Sequence, residues 1–277
     1  MTLIEKKAET LLEDYDLLGG KTDLKELCRK LNLEVHAHPF EGCEGVLLVT
    51  SNEQKILINS SKAPTRNRYT IAHEIGHYSM HVPLDGNRIF NCSKDQVGSD
   101  RQISEKEEHE ANRFASALLM PKQIFVRNKH FLNPSWDSLN QLANAHEVSL
   151  IAAATRYIDL TSESMWLIVV SSGKIKRFVK PSFVESNPTV GQLFSSKKIT
   201  DWIEISADHI FYDNKWTRNK TVFISSIGEN DYGENLVLVW DKKHSLMSLG
   251  SEYDNSDFDS DEYYEKSTRG NRKWSDD

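Results

Sequence analysis

Two histidines four residues apart, with a glutamate beside the first, carry the clearest chemical signal in this 277-residue sequence: His73-Glu74-Ile75-Gly76-His77. On a helix, positions i and i+4 project from one face, so both imidazoles can reach a single cation. Glu74 stands outside that pair, where it can take a proton from a metal-activated water. A catalytic zinc takes three protein ligands and keeps one position open, so a third ligand must come from elsewhere in the chain.

The candidates cluster at Glu105, Glu107, Glu108, His109 and Glu110. At about 100° per residue, Ala111, Asn112, Ala115, Leu118 and Leu119 all fall within about 80° of Glu108, whereas Glu110 falls about 200° away. A carboxylate aimed into an apolar stripe is costly unless it is paired or binds metal, which favours Glu108 and leaves Glu110 as a solvated acid. Asn112, one turn on, can accept a hydrogen bond from the non-ligating nitrogen of a zinc histidine. A third histidine six residues after His77 would make a different ligand set, but that position is Pro83. His81 is instead a candidate for touching a ligand or the substrate, and Tyr78, His81 and His109 are candidates for stabilising an oxyanion. Two imidazoles and one carboxylate suit Zn2+ and are compatible with Mn2+.

The elements that must position these groups are legible in outline. A helix is expected over about 66–81 behind Pro64, and a second opens at Ser104-Glu105-Lys106-Glu107, a capping box, and ends at Pro121. Ahead of them lie helices over 1–17 and from about 24 to 31. The β-type runs 45–50 and 55–59 have hairpin spacing. The polar segment 82–103 reads as a loop. Residues 136–160 read as a helix pair around His146-Glu147-Val148-Ser149. From Met165 the pattern turns to strands at 165–170, 174–179, 202–205, 221–227 and 236–240.

Composition excludes several classes. No apolar run is long enough to span a bilayer, and the N-terminus lacks the basic and apolar regions of a secretory signal, so cytoplasmic residence is expected. Cys28, Cys43 and Cys92 are scattered without CxxC spacing, which argues against a disulfide framework. Of the net charge of -7, the tail 251–277 holds nine acids against four bases, leaving 32 acids and 30 bases over 1–250. That near-neutral balance speaks against DNA as the main ligand. The acidic tail lacks apolar periodicity and is expected to be disordered.

The runs His73-Glu74-Ile75-Gly76-His77-Tyr78-Ser79-Met80-His81 and Glu108-His109-Glu110-Ala111-Asn112-Arg113-Phe114-Ala115-Ser116-Ala117-Leu118-Leu119-Met120-Pro121 resemble the ImmA/IrrE family of metallo-endopeptidases. The resemblance covers about 20–160 and extends to Leu142-Ala143 and Val148-Ser149, like that family's helix-turn-helix-like segment. It implies an α+β fold with a thermolysin-like zincin core over 1–135, a helix-turn-helix-like pair over 136–161 and a bound divalent metal, with Glu108 as third ligand. The implied activity is limited proteolysis of a regulatory protein, often a helix-turn-helix repressor. Residues 162–250 are expected to form a small β-rich domain of unassigned role. The competing reading is a non-proteolytic, metal-stabilised regulatory protein that binds DNA or a protein partner through 136–160.

Overall fold

A computed structural model describes residues 2–39, 43–82, 88–93, 104–132, 134–185, 187–194, 198–207, 210, 221–229 and 233–241. The chain divides into two compact units, residues 1–132 with 140–153, and residues 133–139 with 154–277. The division runs through the helix pair, so the 136–161 segment contributes to both units.

The first unit opens with α1 (Leu3–Asp14), whose Thr2 and Glu5 form a reciprocal capping box, and α2 (Leu24–Lys30), capped by Asp23. Four strands follow the order β1-β3-β2-β4: β1 (Glu34–His38), β2 (Cys43–Val49), β3 (Gln54–Asn59) and β4 (Arg88–Ser93). The β2–β3 hairpin is antiparallel as its spacing predicts, while β1 joins β3 in parallel. Neither β1 nor β4 is predicted by the sequence. Every residue of β1 is exposed, so it lacks the apolar alternation that marks a half-buried strand. β4 lies inside the polar segment read as a loop.

α3 (Pro64–His81) packs against β2, β3 and α4 (Glu105–Leu119), and this placement explains its burial pattern. Six consecutive residues, Ala72 to His77, are buried, more than one helical face can supply to a single neighbour. α4 starts at the expected capping box, with the Glu107 amide donating to the Ser104 hydroxyl and the Glu107 carboxylate accepting from the Ser104 amide. At its other end the Thr22 hydroxyl donates to the Leu118 carbonyl at 2.7 Å.

A short helix α5 (Lys122–Phe125) follows, with the Lys122 amide donating to the buried Glu9 carboxylate at 2.5 Å. α6 (Trp136–His146) and α7 (Leu150–Leu160) come next, close to their expected limits. In the second unit, β5 (Met165–Ser171), β6 (Lys174–Val179), β7 (Ile199–Ser206), β8 (Thr221–Glu229) and β9 (Glu234–Trp240) form an antiparallel sheet ordered β6-β5-β9-β8-β7. Ser172 and Gly173, with φ of 50° and 70°, make the two-residue turn between β5 and β6. β5 is buried from Met165 to Val170, so both of its faces are covered. Trp166, Ile168, Val222, Ile224, Val237 and Val239 are central to the core of this unit. The acidic tail lies outside the described residues. No described helix is long and apolar enough to cross a membrane.

α3 and α4 approach closely at Gly76, where an added Cβ would lie 3.2 Å from both the Cα and the carbonyl oxygen of Ala111. Those are backbone atoms, which cannot yield as a flexible side chain would. Alanine has a helix propensity about 1 kcal/mol better than glycine, while overpacking against backbone costs about 1–3 kcal/mol. Gly76→Ala is therefore expected to lower unfolding stability, read as an earlier urea midpoint. A stabilised variant would show that the helices are not in this close contact.

Candidate metal centre

The face of α3 that carries Tyr69, His73, His77 and His81 sets their rings in succession, tilted or edge-on to one another, with centroid separations of 6.3, 4.7 and 5.2 Å. The spacing of four residues places each ring one turn above the last. Because Gly76 lets α4 close in, Glu108 in the first turn of α4 reaches the two central imidazoles. His73 Nε2 and His77 Nε2 stand 3.0 Å apart, and the Glu108 oxygens lie 3.4 Å from the first and 3.3 Å from the second.

This triangle fits a metal ion. Ligand bonds of about 2.0–2.1 Å in tetrahedral geometry put neighbouring donor atoms roughly 3.3 Å apart. His73, His77 and Glu108 are the one set of potential ligands that converges in this way among the described residues. The outer nitrogens agree with it. His73 Nδ1 lies 3.1 Å from Asn112 Oδ1, an atom that can only accept, so this nitrogen carries the proton and Nε2 presents its lone pair to the ion. Asn112 Oδ1 also accepts from the Tyr69 hydroxyl at 2.6 Å. Arg66 lies over the Tyr69 ring at 5.3 Å and pairs with Glu44 on β2.

Burial and charge shift the ligands in opposite senses. Burial works against a charged His73, but the Glu108 carboxylate and the nearby charge of Glu74 outweigh it and hold its pKa above the usual 6.5. For His77 burial prevails, aided by the other two histidines, and the pKa falls below 6.5. Burial would raise the Glu108 pKa, yet the His73 and His77 imidazoles beside it hold it well below the usual carboxylate range.

Glu74 is fully buried on α3 and faces β2. A Cβ at Gly45 would sit 2.4 Å from Thr70 Cγ2 and 3.0 Å from Glu74 Oε1, so only a glycine lets the strand pass this close to the carboxylate. Cys43, two residues earlier, has its thiol pushed up by burial and then by the charge of Glu74.

The structure brings together His73, His77, Glu108, Glu74, Asn112 and His81, but not Tyr78. The Tyr78 hydroxyl donates instead to Gln54 on β3 at 2.8 Å, because its position on the helix turns it toward the sheet. Glu110 is no solvated acid. Its side chain is 28% exposed against 34% for Glu108, and it lies 2.9 Å from His81 Nε2. The helical periodicity of α4 reflects α4 alone, whereas His81 extends from α3 to meet Glu110. Sequence reasoning also missed Tyr69 and Gly45. The fourfold spacing 69, 73, 77, 81 was a signal for the first; nothing local marked the second.

Residues 136–160 carry their two cations in the interior. His146 and Arg156, the cations of that segment, are 1% and 2% exposed. The His146 ring bonds the Leu119 carbonyl at 3.1 Å and packs on Phe125.

Residues 28–157 match the model of the IrrE N-terminal-like domain. The metallopeptidase ImmA of Bacillus subtilis is 26% identical over 121 residues, 44% of this chain and 65% of that protein. The radiation response metalloprotease IrrE of Deinococcus radiodurans is 29% identical over 140 residues, 50% of this chain and 42% of that one. Its counterpart from Deinococcus deserti is 34% identical over 98 residues, 35% and 34% of the two chains. The chain thus spans less than two thirds of the length of each of these relatives. A solved structure described as a Mycobacterium tuberculosis transcriptional regulator shares the fold over 92% of this chain and 94% of its own, with a TM-score of 0.55 and 14% identity.

The opposite shifts make a direct test. In metal-free protein the His73 ring should hold its proton above pH 6.5 while the His77 ring stays neutral until the pH falls below 6.5, read as two separate steps in histidine NMR titrations. A His73 midpoint at or below the ordinary value would mean that Glu108 does not face that ring.

Proposed function

We propose, on the match of residues 28–157 to the IrrE N-terminal-like domain and the likeness to ImmA and IrrE, that the chain is an ImmA/IrrE-type, zinc-dependent endopeptidase carrying out limited proteolysis of a regulatory protein. The observation that carries this reading is the triangle of His73, His77 and Glu108 with the buried Glu74 beside it. The three ligands hold the ion, and Asn112 and His81 orient the two rings. Zinc, when bound, supplies Lewis acidity at the scissile carbonyl and makes water more acidic. Glu74 takes a proton from the attacking water and returns it to the leaving amine. Its position between α3 and β2 keeps that carboxylate away from bulk water, where it would be less basic.

Two helices supplying the ligands beside a small mixed sheet support a thermolysin-like zincin arrangement for the first unit, and α6 and α7 are read as the helix-turn-helix-like pair. A helix-turn-helix repressor is the substrate class suggested by the family resemblance. The competing reading, a regulator that binds DNA or a partner without proteolysis, draws on the fold shared with a protein described as a transcriptional regulator. Its DNA-binding form would need surface cations in 136–160, and the burial of His146 and Arg156 weighs against that.

Glu74→Gln tests the assignment. The variant is expected to bind Zn2+ as wild type does while cleavage of a helix-turn-helix regulator falls by about 10²–10⁴-fold, measured by product formation with and without chelator. Full activity in the variant, or cleavage that survives the chelator, would remove Glu74 or the metal from the mechanism.

A further inference from the structure

We propose that Glu110 and His81 form a positioning relay that fixes which ring nitrogen of His77 carries its proton. The proposal rests on the reading of His77 as a metal ligand. His81 Nδ1 lies 3.1 Å from His77 Nδ1, and His81 Nε2 lies 2.9 Å from Glu110 Oε2. The His81 side chain is 7% exposed, so water does not readily substitute for these partners. Lys106 Nζ stands 3.8 Å from the other Glu110 oxygen.

With His81 neutral and Glu110 ionised, the hydrogen bonds have one consistent direction. An ionised carboxylate only accepts hydrogen bonds, so His81 Nε2 donates to Glu110. In a neutral imidazole the other nitrogen then accepts, so His81 Nδ1 takes its hydrogen bond from His77 Nδ1–H. His77 Nε2 is thereby left with the lone pair that a metal ligand requires. The Glu110 carboxylate thus favours the His81 tautomer protonated at Nε2. If His81 carried its proton on Nδ1, His77 would have to accept at Nδ1 and protonate Nε2, the atom facing His73 and Glu108.

The two ligands are therefore oriented by different chemistry. His73 is held by the fixed acceptor of an amide, Asn112, itself held by Tyr69. His77 is held by an imidazole whose own tautomer is imposed from the α4 side.

The test compares wild type with Glu110→Ala, His81→Phe, His81→Asn and His77→Ala. Zn2+ affinity is read by competition with a chromophoric chelator, and the His77 tautomer by nitrogen-15 NMR of the metal-free proteins. Glu110→Ala and His81→Phe should weaken Zn2+ binding by about 10–100-fold and give His77 a substantial Nε2–H population. His81→Asn should recover most of the affinity, since its amide oxygen can accept from His77 Nδ1–H as Asn112 does from His73. Glu110 is partly exposed, so Glu110→Ala carries the test if His81→Phe does not fold. Wild-type affinity and an unchanged His77 tautomer in these variants, alongside lost binding in His77→Ala, would overturn the relay alone. Wild-type binding in His77→Ala would overturn the ligand assignment and the relay with it.

Discussion

The close approach of α3 and α4 at Gly76 and Ala111 is the contact on which the site depends. A helix can align two imidazoles by its own periodicity, but it cannot bring a third ligand to them. That ligand comes from a second helix, and the reach of a glutamate side chain limits how far away the helix can lie. A residue with a Cβ at position 76 would meet backbone, so glycine is what allows Glu108 to sit 3.3–3.4 Å from both ring nitrogens.

Charge explains why such a cluster suits a cation. Two carboxylates, Glu74 and Glu108, share a region where His77 is fully buried and His73 nearly so. Burying negative charge without compensation is expensive. A cation held by the two imidazoles and the Glu108 carboxylate would supply the compensation. Without it, the raised pKa of His73 is the protein's partial answer, since a proton on that ring provides some positive charge beside Glu108 and Glu74.

The surroundings specialise along the same face of α3. Toward its N-terminal side Arg66, Tyr69 and Asn112 connect β2 and α4 to His73; toward its C-terminal end His81 and Glu110 connect α4 to His77. The backbone of β2 closes the site on the side of Glu74, and Gly45 makes that possible. Each group thus meets a partner from a different element, and the ligand geometry depends on the packing of the whole first unit.

Much of this was legible in the sequence because it is local. The fourfold spacing of His73 and His77, the Ser104 capping box, the β2–β3 hairpin and the strands after Met165 rest on periodicities and turn chemistry that act over a few residues. The rotation of α4 was sufficient to select Glu108. It was insufficient for Glu110, because a helical wheel knows only its own axis and His81 arrives from another helix. β1 escaped prediction because an exposed edge strand has no buried face to impose alternation. The burial of His146, the diversion of the Tyr78 hydroxyl to Gln54 and the passage of Gly45 beside Glu74 were likewise decided only by tertiary structure. The sequence determined which residues can bind a cation and which helices carry them. Which polar groups close around those residues depended on packing between elements distant in the chain, where no short-range pattern records the neighbour.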